Sequence, residues 1–505
     1  MKHKVINNFK SFLDFVFPPS LARLPVYLII VGTVIALIGL FVDDAHFMHA
    51  WLVSFMFYLS ICLGGFFLVL LHYLVDSQWI VPVRRVAENL ACLLPFMAIL
   101  FLPIAVWSLL EVKIEVHSDA HHHTANQDAK LEKAQSKINS VVNAANQGKS
   151  DSEIQTNINV HESSAHHSSE KVFYQWMKSE REYYTEKENY KKTLKEKNPD
   201  ISDKDLNEKV SHMPIHDHAW YAKKGYLSKT SWSFRWVFCF VSWGFFTWLI
   251  RKHSIAQDKD GLSKWTSYNR KLAAAGIFVF AFTTTTAAID GMKALEYQWF
   301  STMYGVYYFA GSFWVSLITM YSICLFLKSK GPLRDIARKE TFKDLGTLFF
   351  AFTVFYSYIH FSQYFLIWNA AIPEETFWYV KREQGPWWNV GMVILFGHFF
   401  IPFLTLLRQD VKTNPTVMIT VTVLAWYVHF CDMSYNVMPL IHETGGWMSR
   451  IWIDLGCMLL MGGFLAVIFI YFFNKNAPYP QKDPRIAETM GVYVKLNSEL
   501  QNSGK

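Results

Sequence analysis

The chain has 505 residues, 52% of them hydrophobic and 17% aromatic, with the apolar residues gathered into runs; this is the composition of an integral membrane protein and excludes an ordinary soluble enzyme. The net charge of +7 does not imply an anionic partner, because loops between membrane spans collect Lys and Arg for topological reasons, and no basic stripe with interleaved aromatics marks a nucleic-acid surface. The six cysteines (Cys62, Cys92, Cys239, Cys324, Cys431, Cys457) all fall in apolar runs without a C-x-x-C pattern, so neither an iron-sulfur cluster nor a covalently bound haem is encoded.

The first apolar run, Val26 to Val42, follows Lys2, Lys4, Lys10 and Arg23 and lacks a small-residue cleavage site before Asp43 and Asp44, so it reads as a retained span. Ten runs reach the length of a transmembrane helix: 24–42, 50–75, 87–110, 232–250, 272–292, 301–327, 344–372, 388–407, 415–437 and 451–473. The expected fold is therefore all-α. The chain divides into an N-terminus with spans one to three (1–110), a polar insertion (111–230), spans four to ten (231–473) and a tail (474–505).

Short loops after the even spans carry Arg84 and Arg85, then six Lys and Arg in 251–271, six in 328–343, and Arg408 with Lys412; the opposite loops carry only Lys293, Lys381, Arg382 and Arg450. The excess of positive charge places both termini in the cytoplasm and the insertion outside. The insertion's first half, 117–170, is rich in Ser, Asn, Gln and His and too polar to form a core; His121, His122 and His123 read as an accessible polar tract, with metal binding as the alternative. Its second half sets aromatics among charges and reads as one or two helices able to dock on a partner.

Ionisable residues inside spans are rare and mark ion or substrate routes. LVLLHYLVDSQW (68–79) sets His72 and Asp76 four residues apart, on one helix face, at the inner end of span two. His360 with Gln363, and His398, fall near mid-span; Asp290, and His429 with Asp432, fall towards the outer surface, and Asp454 begins span ten. Polar groups at inner, middle and outer depths are what a proton relay needs, since His and desolvated carboxylates exchange protons near neutral pH. The plainer reading makes Asp76 and Asp454 helix-end residues and His398 a hydrogen-bonded core histidine. No metal site is expected in the spans, and His360 with His398 is the only pair placed to ligate a b-type haem.

AAIDGMKALEY and HFCDMSYNVMP each carry an aspartate near the same end of a similarly directed span. This correspondence points to two four-helix units, spans two to five and six to nine, flanked by spans one and ten.

WFSTMYGVYYFAGSF (299–313), FSQYFLIWNAAIPEETFWYVKREQGPWW (361–388) and GHFFIPFLTLLRQDVK (397–412), with KKGYLSKTSWSFRW (223–236) and LVLLHYLVDSQW, resemble the large quinone-type membrane subunits of alternative complex III, in the polysulfide-reductase-like (NrfD-like) family. The resemblance implies ten transmembrane helices with two four-helix bundles, a bacterial cytoplasmic membrane, and a quinol:cytochrome c oxidoreductase whose iron-sulfur and multihaem cytochrome c subunits accept the electrons. It further implies quinone or menaquinone as the ligand, membrane lipids and a homologous quinone-binding subunit as neighbours, and no cofactor bound covalently to this chain. DGMKALEYQWFST departs from the expected family pattern beside Asp290, although Asp290 and Glu296 are retained.

The first functional expectation is quinone binding, a transmembrane proton path, or both. His72 and Asp76 would form its inner entrance, His360, Gln363 and His398 its centre, and Asp290, His429 and Asp432 its exit; Glu296, Glu374, Glu375 and Asp454 are weaker candidates. No residue is assigned a covalent catalytic role. A scaffold that only anchors redox subunits, and an independent transporter, are the alternatives.

Overall fold

The computed structural model describes residues 23–111, 113–115, 170–177, 188, 191–192, 194–195, 202, 206, 218–383, 385–442, 446–483 and 485–489. Among them, ten helices are long and apolar enough to cross a membrane, which makes this a multi-pass membrane protein. They are α1 (Leu24–Val42), α2 (Asp44–Val75), α3 (Arg84–Leu109), α4 (Lys229–Asp260), α5 (Lys264–Gly291), α6 (Tyr304–Lys330), α7 (Lys339–Ala370), α8 (Pro386–Leu406), α9 (Pro415–Leu440) and α10 (Trp447–Lys475). Several run past the apolar stretch that defines them. At 1.5 Å per residue the 32 residues of α2 extend about 48 Å, more than a hydrocarbon core needs.

Helix α2 is the central element, packing on α3, α5, α6, α9 and α10. Its burial is nearly complete, so it is apolar on every side, whereas α1 and α4 present Phe41 and Phe234 outward as lipid-facing helices do. Contacts close a ring through α2, α3, α4 and α5, and a second ring through α6, α7, α8 and α9; α1 lies along α10 beside α2. The α1–α10 contact is close because glycines face it: a Cβ on Gly32 would overlap the backbone of Leu460, and one on Gly456 would overlap Ile35.

The connections sort to two ends of the molecule. One, the basic face, holds 76–83, 261–263, 331–338, 407–414 and 476–483; the other, the opposite face, holds 110–111, 224–228, 292–303, 371–383 and 441–442. On the opposite face the insertion contributes a short antiparallel pair, β1 (Lys113–Glu115) and β2 (Glu170–Val172), with Lys113 opposite Val172. Beyond β2, the buried Tyr174 donates to the Gly291 carbonyl at 2.9 Å and the Phe173 ring packs at a tilt against His49, so this part of the insertion docks on its own helices. His121, His122 and His123 lie outside the described residues.

Replacing Gly32 by Leu should force α1 from α10 and destabilise the protein by about 1–3 kcal/mol, the usual cost of overpacking, read as a lower unfolding temperature in detergent.

Candidate functional site

The expected His72–Asp76 pair does not form. Helix α2 stops at Val75, and Asp76 caps it in a left-handed conformation (φ 52°), which ends the i,i+4 geometry that would have brought the two together. Asp76 instead turns outward to Arg485 at 2.6 Å and Arg270 at 3.0 Å, its side chain 51% exposed. His72 turns inward: Nδ1 lies 2.9 Å from the Ser77 carbonyl and Nε2 lies 3.0 Å from Arg84 Nη1. Since the arginine is always a donor, that Nε2 accepts.

Around His72 the basic face holds a buried ionic cluster that composition alone disperses over three distant segments. Arg84 binds Glu88 at 3.1 Å and Asp483 at 2.5 Å; Arg85 binds Glu88 at 2.7 Å and also pairs with Asp258. Ser254 donates to Glu88 at 2.7 Å. Arg84 and Arg85 are therefore not free loop charges, as a topological count treats them, but fully buried ion-pair partners. The segment after α10 completes the cluster: Asp483 is buried, and burial alone would raise its pKa, but the Arg485 hydrogen bond and the charges of Arg84 and Arg485 hold it well below the ordinary carboxylate value.

On the opposite face, Asp290 at the end of α5 accepts two bonds from Arg235 of α4, at 2.6 and 3.1 Å. The fork-on-fork geometry fixes both side chains, and Arg235 also lies 3.7 Å over the Tyr226 ring. Glu296 is held by Arg382 at 2.9 Å and Lys381 at 3.5 Å; despite burial, these charges, led by Arg382, keep its carboxyl below the ordinary value. Nearby Lys293, expected only as a loop charge, is shifted down to about 8 by burial and by the charge of Lys223. Glu374 is exposed and Glu375 partly so, both in the first turn of the short helix Pro373–Arg382. Asp454 is no simple helix-end residue: its Oδ2 lies 2.8 Å from His46 Nε2, and His46 Nδ1 lies 2.8 Å from His442 Nε2, forming a buried Asp–His–His line.

The remaining candidates converge inside the second ring. In α8, Pro402 has no N–H to donate to the His398 carbonyl, and residues Leu395–Phe400 form a π-helix in which the Ile401 N–H reaches back to Phe396. Gly397 fits against Val428 of α9, where a Cβ would overlap that side chain. This close approach sets His398 beside His429, ring centroids 6.1 Å apart. His398 is sandwiched between Trp314 at 4.1 Å and Tyr356 at 4.0 Å, and neither of its ring nitrogens has a hydrogen-bond partner.

His429 lies nearer mid-span than expected, because its Nε2 meets Ser60 Oγ, at 2.9 Å, halfway along α2. Asp432, one turn further towards the opposite face, accepts a short bond from the Tyr307 hydroxyl on Oδ1 and has no hydrogen-bond partner on Oδ2. The Tyr356 hydroxyl faces it without a hydrogen bond of ordinary geometry. From Tyr307 a line continues outward: Asn436 donates to Tyr307 at 2.9 Å, Tyr304 donates to Asn436 at 2.9 Å, and Arg382 donates to the Asn436 carbonyl at 3.1 Å and to Glu296. Gln363 belongs to this end rather than mid-span, accepting from Ser301 at 2.9 Å and donating to Tyr379 at 3.0 Å.

His360 and His398 share a cavity of about 330 Å³ between α7, α8, α9 and the short helix, lined also by Tyr356, Tyr379, Arg382 and Tyr435. A second groove of about 390 Å³, bounded by Tyr58, Cys62, Trp426 and aliphatic side chains, is almost wholly apolar. Sequence reasoning missed Arg235, Tyr304, Tyr307, Arg382, Asn436 and the His46–His442 link. The spacings of Tyr304 with Tyr307 and Asp432 with Asn436, i+3 and i+4, were the legible signal for part of this line.

No family model matches the chain, and no curated protein matches it.

Two outcomes test the ionic assignments. Arg235→Ala should cost about 3–5 kcal/mol by leaving Asp290 buried and unpaired, and Arg235→Met with Asp290→Leu should recover most of it, measured by thermal unfolding. Asp483 has a folded pKa below its ordinary 3.8, so its stabilisation is full above that value and is lost as pH falls through the lower folded value; Asp483→Asn should flatten the acid limb of the unfolding profile.

Proposed function

We propose that this chain is a membrane subunit of a bacterial quinol:cytochrome c oxidoreductase of the alternative complex III type, NrfD-like in family. In this reading it contributes a quinone pocket and an outward proton path, and passes no electrons through a centre of its own. The observation that carries the reading is the cavity shared by His360 and His398, whose inner wall backs onto Asp432. A quinol needs a flat apolar slot and a base within reach of its hydroxyl; Tyr356, Tyr435 and Phe399 supply the rings, and His360 and His398 are the nearest bases.

Oxidation releases two protons along with the electrons, which leave to iron-sulfur and haem subunits. His398 accepts the first proton and Asp432 Oδ2 is the next open acceptor. Asn436 joins Tyr307 to Tyr304 by its side chain and to Arg382 by its carbonyl, so a polar seam ending on Glu296 runs from Asp432 to the opposite face, the outer side in this reading with both termini cytoplasmic. Its amide N–H and guanidinium groups only donate, so water along the seam carries the proton. The two closed helix rings are read as the family's two four-helix bundles, α2–α5 and α6–α9, with quinone in the second.

The scaffold reading is favoured at one place. Asp290, the counterpart of Asp432, is locked by Arg235 and offers no open oxygen, so the first bundle acts in packing and in anchoring partner subunits.

The test is the intact complex purified from its native membranes. Asp432→Asn should lower quinol:cytochrome c turnover about 100-fold, in the range of a lost acid–base group, with the subunits still assembled and quinol still bound. Normal turnover and normal proton release from an assembled Asp432→Asn complex would leave only the scaffold.

A further inference from the structure

His398, His429 and Asp432 are each buried to 1% exposure or less, and one donor atom from each lies within 4.8 Å of the other two. What marks the group is that its unmet bonding capacity sits on three ligand-type side chains facing one small space. Both nitrogens of His398, Nδ1 of His429 and Oδ2 of Asp432 have no hydrogen-bond partner, although a buried polar atom without one costs about 1–3 kcal/mol. Four such atoms in one place ask for a common occupant.

Second, the contacts of Ser60 favour one tautomer of His429. The Ser60 hydroxyl donates to the Phe57 carbonyl at 2.6 Å, so its oxygen accepts from His429 Nε2–H, and Nδ1 is left as a bare lone pair. A histidine that donates through one nitrogen and presents the other unprotonated is the arrangement found in metal-binding imidazoles, where the outer hydrogen bond orients the ring. Asp432 is arranged alike, with Tyr307 bonded to Oδ1 and Oδ2 open.

We infer that His398, His429 and Asp432 form a binding site for a divalent transition-metal ion, with Zn2+ the best fit among common ions. Two imidazoles and one carboxylate are three of four ligands for tetrahedral zinc, and the fourth position falls to water. Zinc bonds of about 2.0–2.1 Å put donors about 3.3 Å apart, so the group must contract by about 1.5 Å at most. Side-chain rotation suffices for that. His398 lines the cavity that reaches Glu383, which provides the way in. Because His398 and Asp432 also carry protons in the function proposed above, a bound ion would block that path; this consequence rests on that reading, whereas binding itself does not.

The experiment uses the full chain in its complex, stripped with chelator, loaded with Zn2+ and passed over chelating resin before metal analysis. Any metal held by the histidines of 117–170 is common to every variant, so the readout is a difference. Wild type should retain one more equivalent than Asp432→Asn or His398→Gln, Asp454→Asn should match wild type, and Ser60→Ala should weaken retention at least 10-fold. Loading with Co2+ should give the intense visible band of a four-coordinate ion, absent from Asp432→Asn. Equal retention across wild type, Asp432→Asn and His398→Gln overturns the site. Retention of the extra equivalent with quinol turnover unchanged upholds the site and overturns the relay reading instead.

Discussion

A charge taken into hydrocarbon must find a partner, and almost every charged side chain inside this helix assembly has one. Arg84 and Arg85 share Glu88 and reach Asp483 and Asp258; Arg235 clasps Asp290; Arg382 holds Glu296 while lying 3.6 Å over Trp378. Removing one member of such a pair costs more than the pair contributes, because the survivor keeps its desolvation penalty. These contacts pin helices distant in sequence into one arrangement. The open atoms of His398, His429 and Asp432 differ from the other buried open atoms in lying on three metal-ligating side chains close together, where a cavity meets the helix core.

The spans were legible because membrane insertion needs only length and apolarity, and both are local. Pairing partners were not. Nothing in FLVLLHYLVDSQW says that Asp76 leaves the helix axis in a left-handed conformation, or that His72 answers to Arg84 twelve residues on. Aspartate at 290 and aspartate at 432 look equivalent as strings, yet Arg235 closes the first and a tyrosine half-closes the second. The difference lies on other helices, α4 and α6. Depth follows the same rule: His429 lies level with the middle of α2 because it meets Ser60, which its distance from the end of its own run does not show.

Backbone irregularity does as much as side-chain identity in building the second ring. Pro402 removes one helical hydrogen bond, the π-helix absorbs the extra residue, and Gly397 lets that widened turn lie against Val428. In the first ring α4 is a continuous 32-residue helix, and the irregularity falls in α3, which breaks at Cys92 and Leu93 ahead of Pro95. Similar span order thus supports dissimilar interiors, one sealed by ion pairs and one kept open by a displaced turn.

The segment after α10 carries a consequence for biogenesis. Arg84 enters the membrane early in synthesis, but its partner Asp483 lies 399 residues further along the chain. At ordinary translation rates of about 5–20 residues per second, that arginine waits roughly 20–80 s for its closest carboxylate. Until then Arg84 has only the Glu88 carboxylate, which it shares with Arg85, whereas Asp258 reaches Arg85 earlier. The basic face is consequently finished last, and a chain cut short after α10 would leave two arginines with Glu88 and Asp258 but without Asp483, a chemical mark separating incomplete molecules from complete ones.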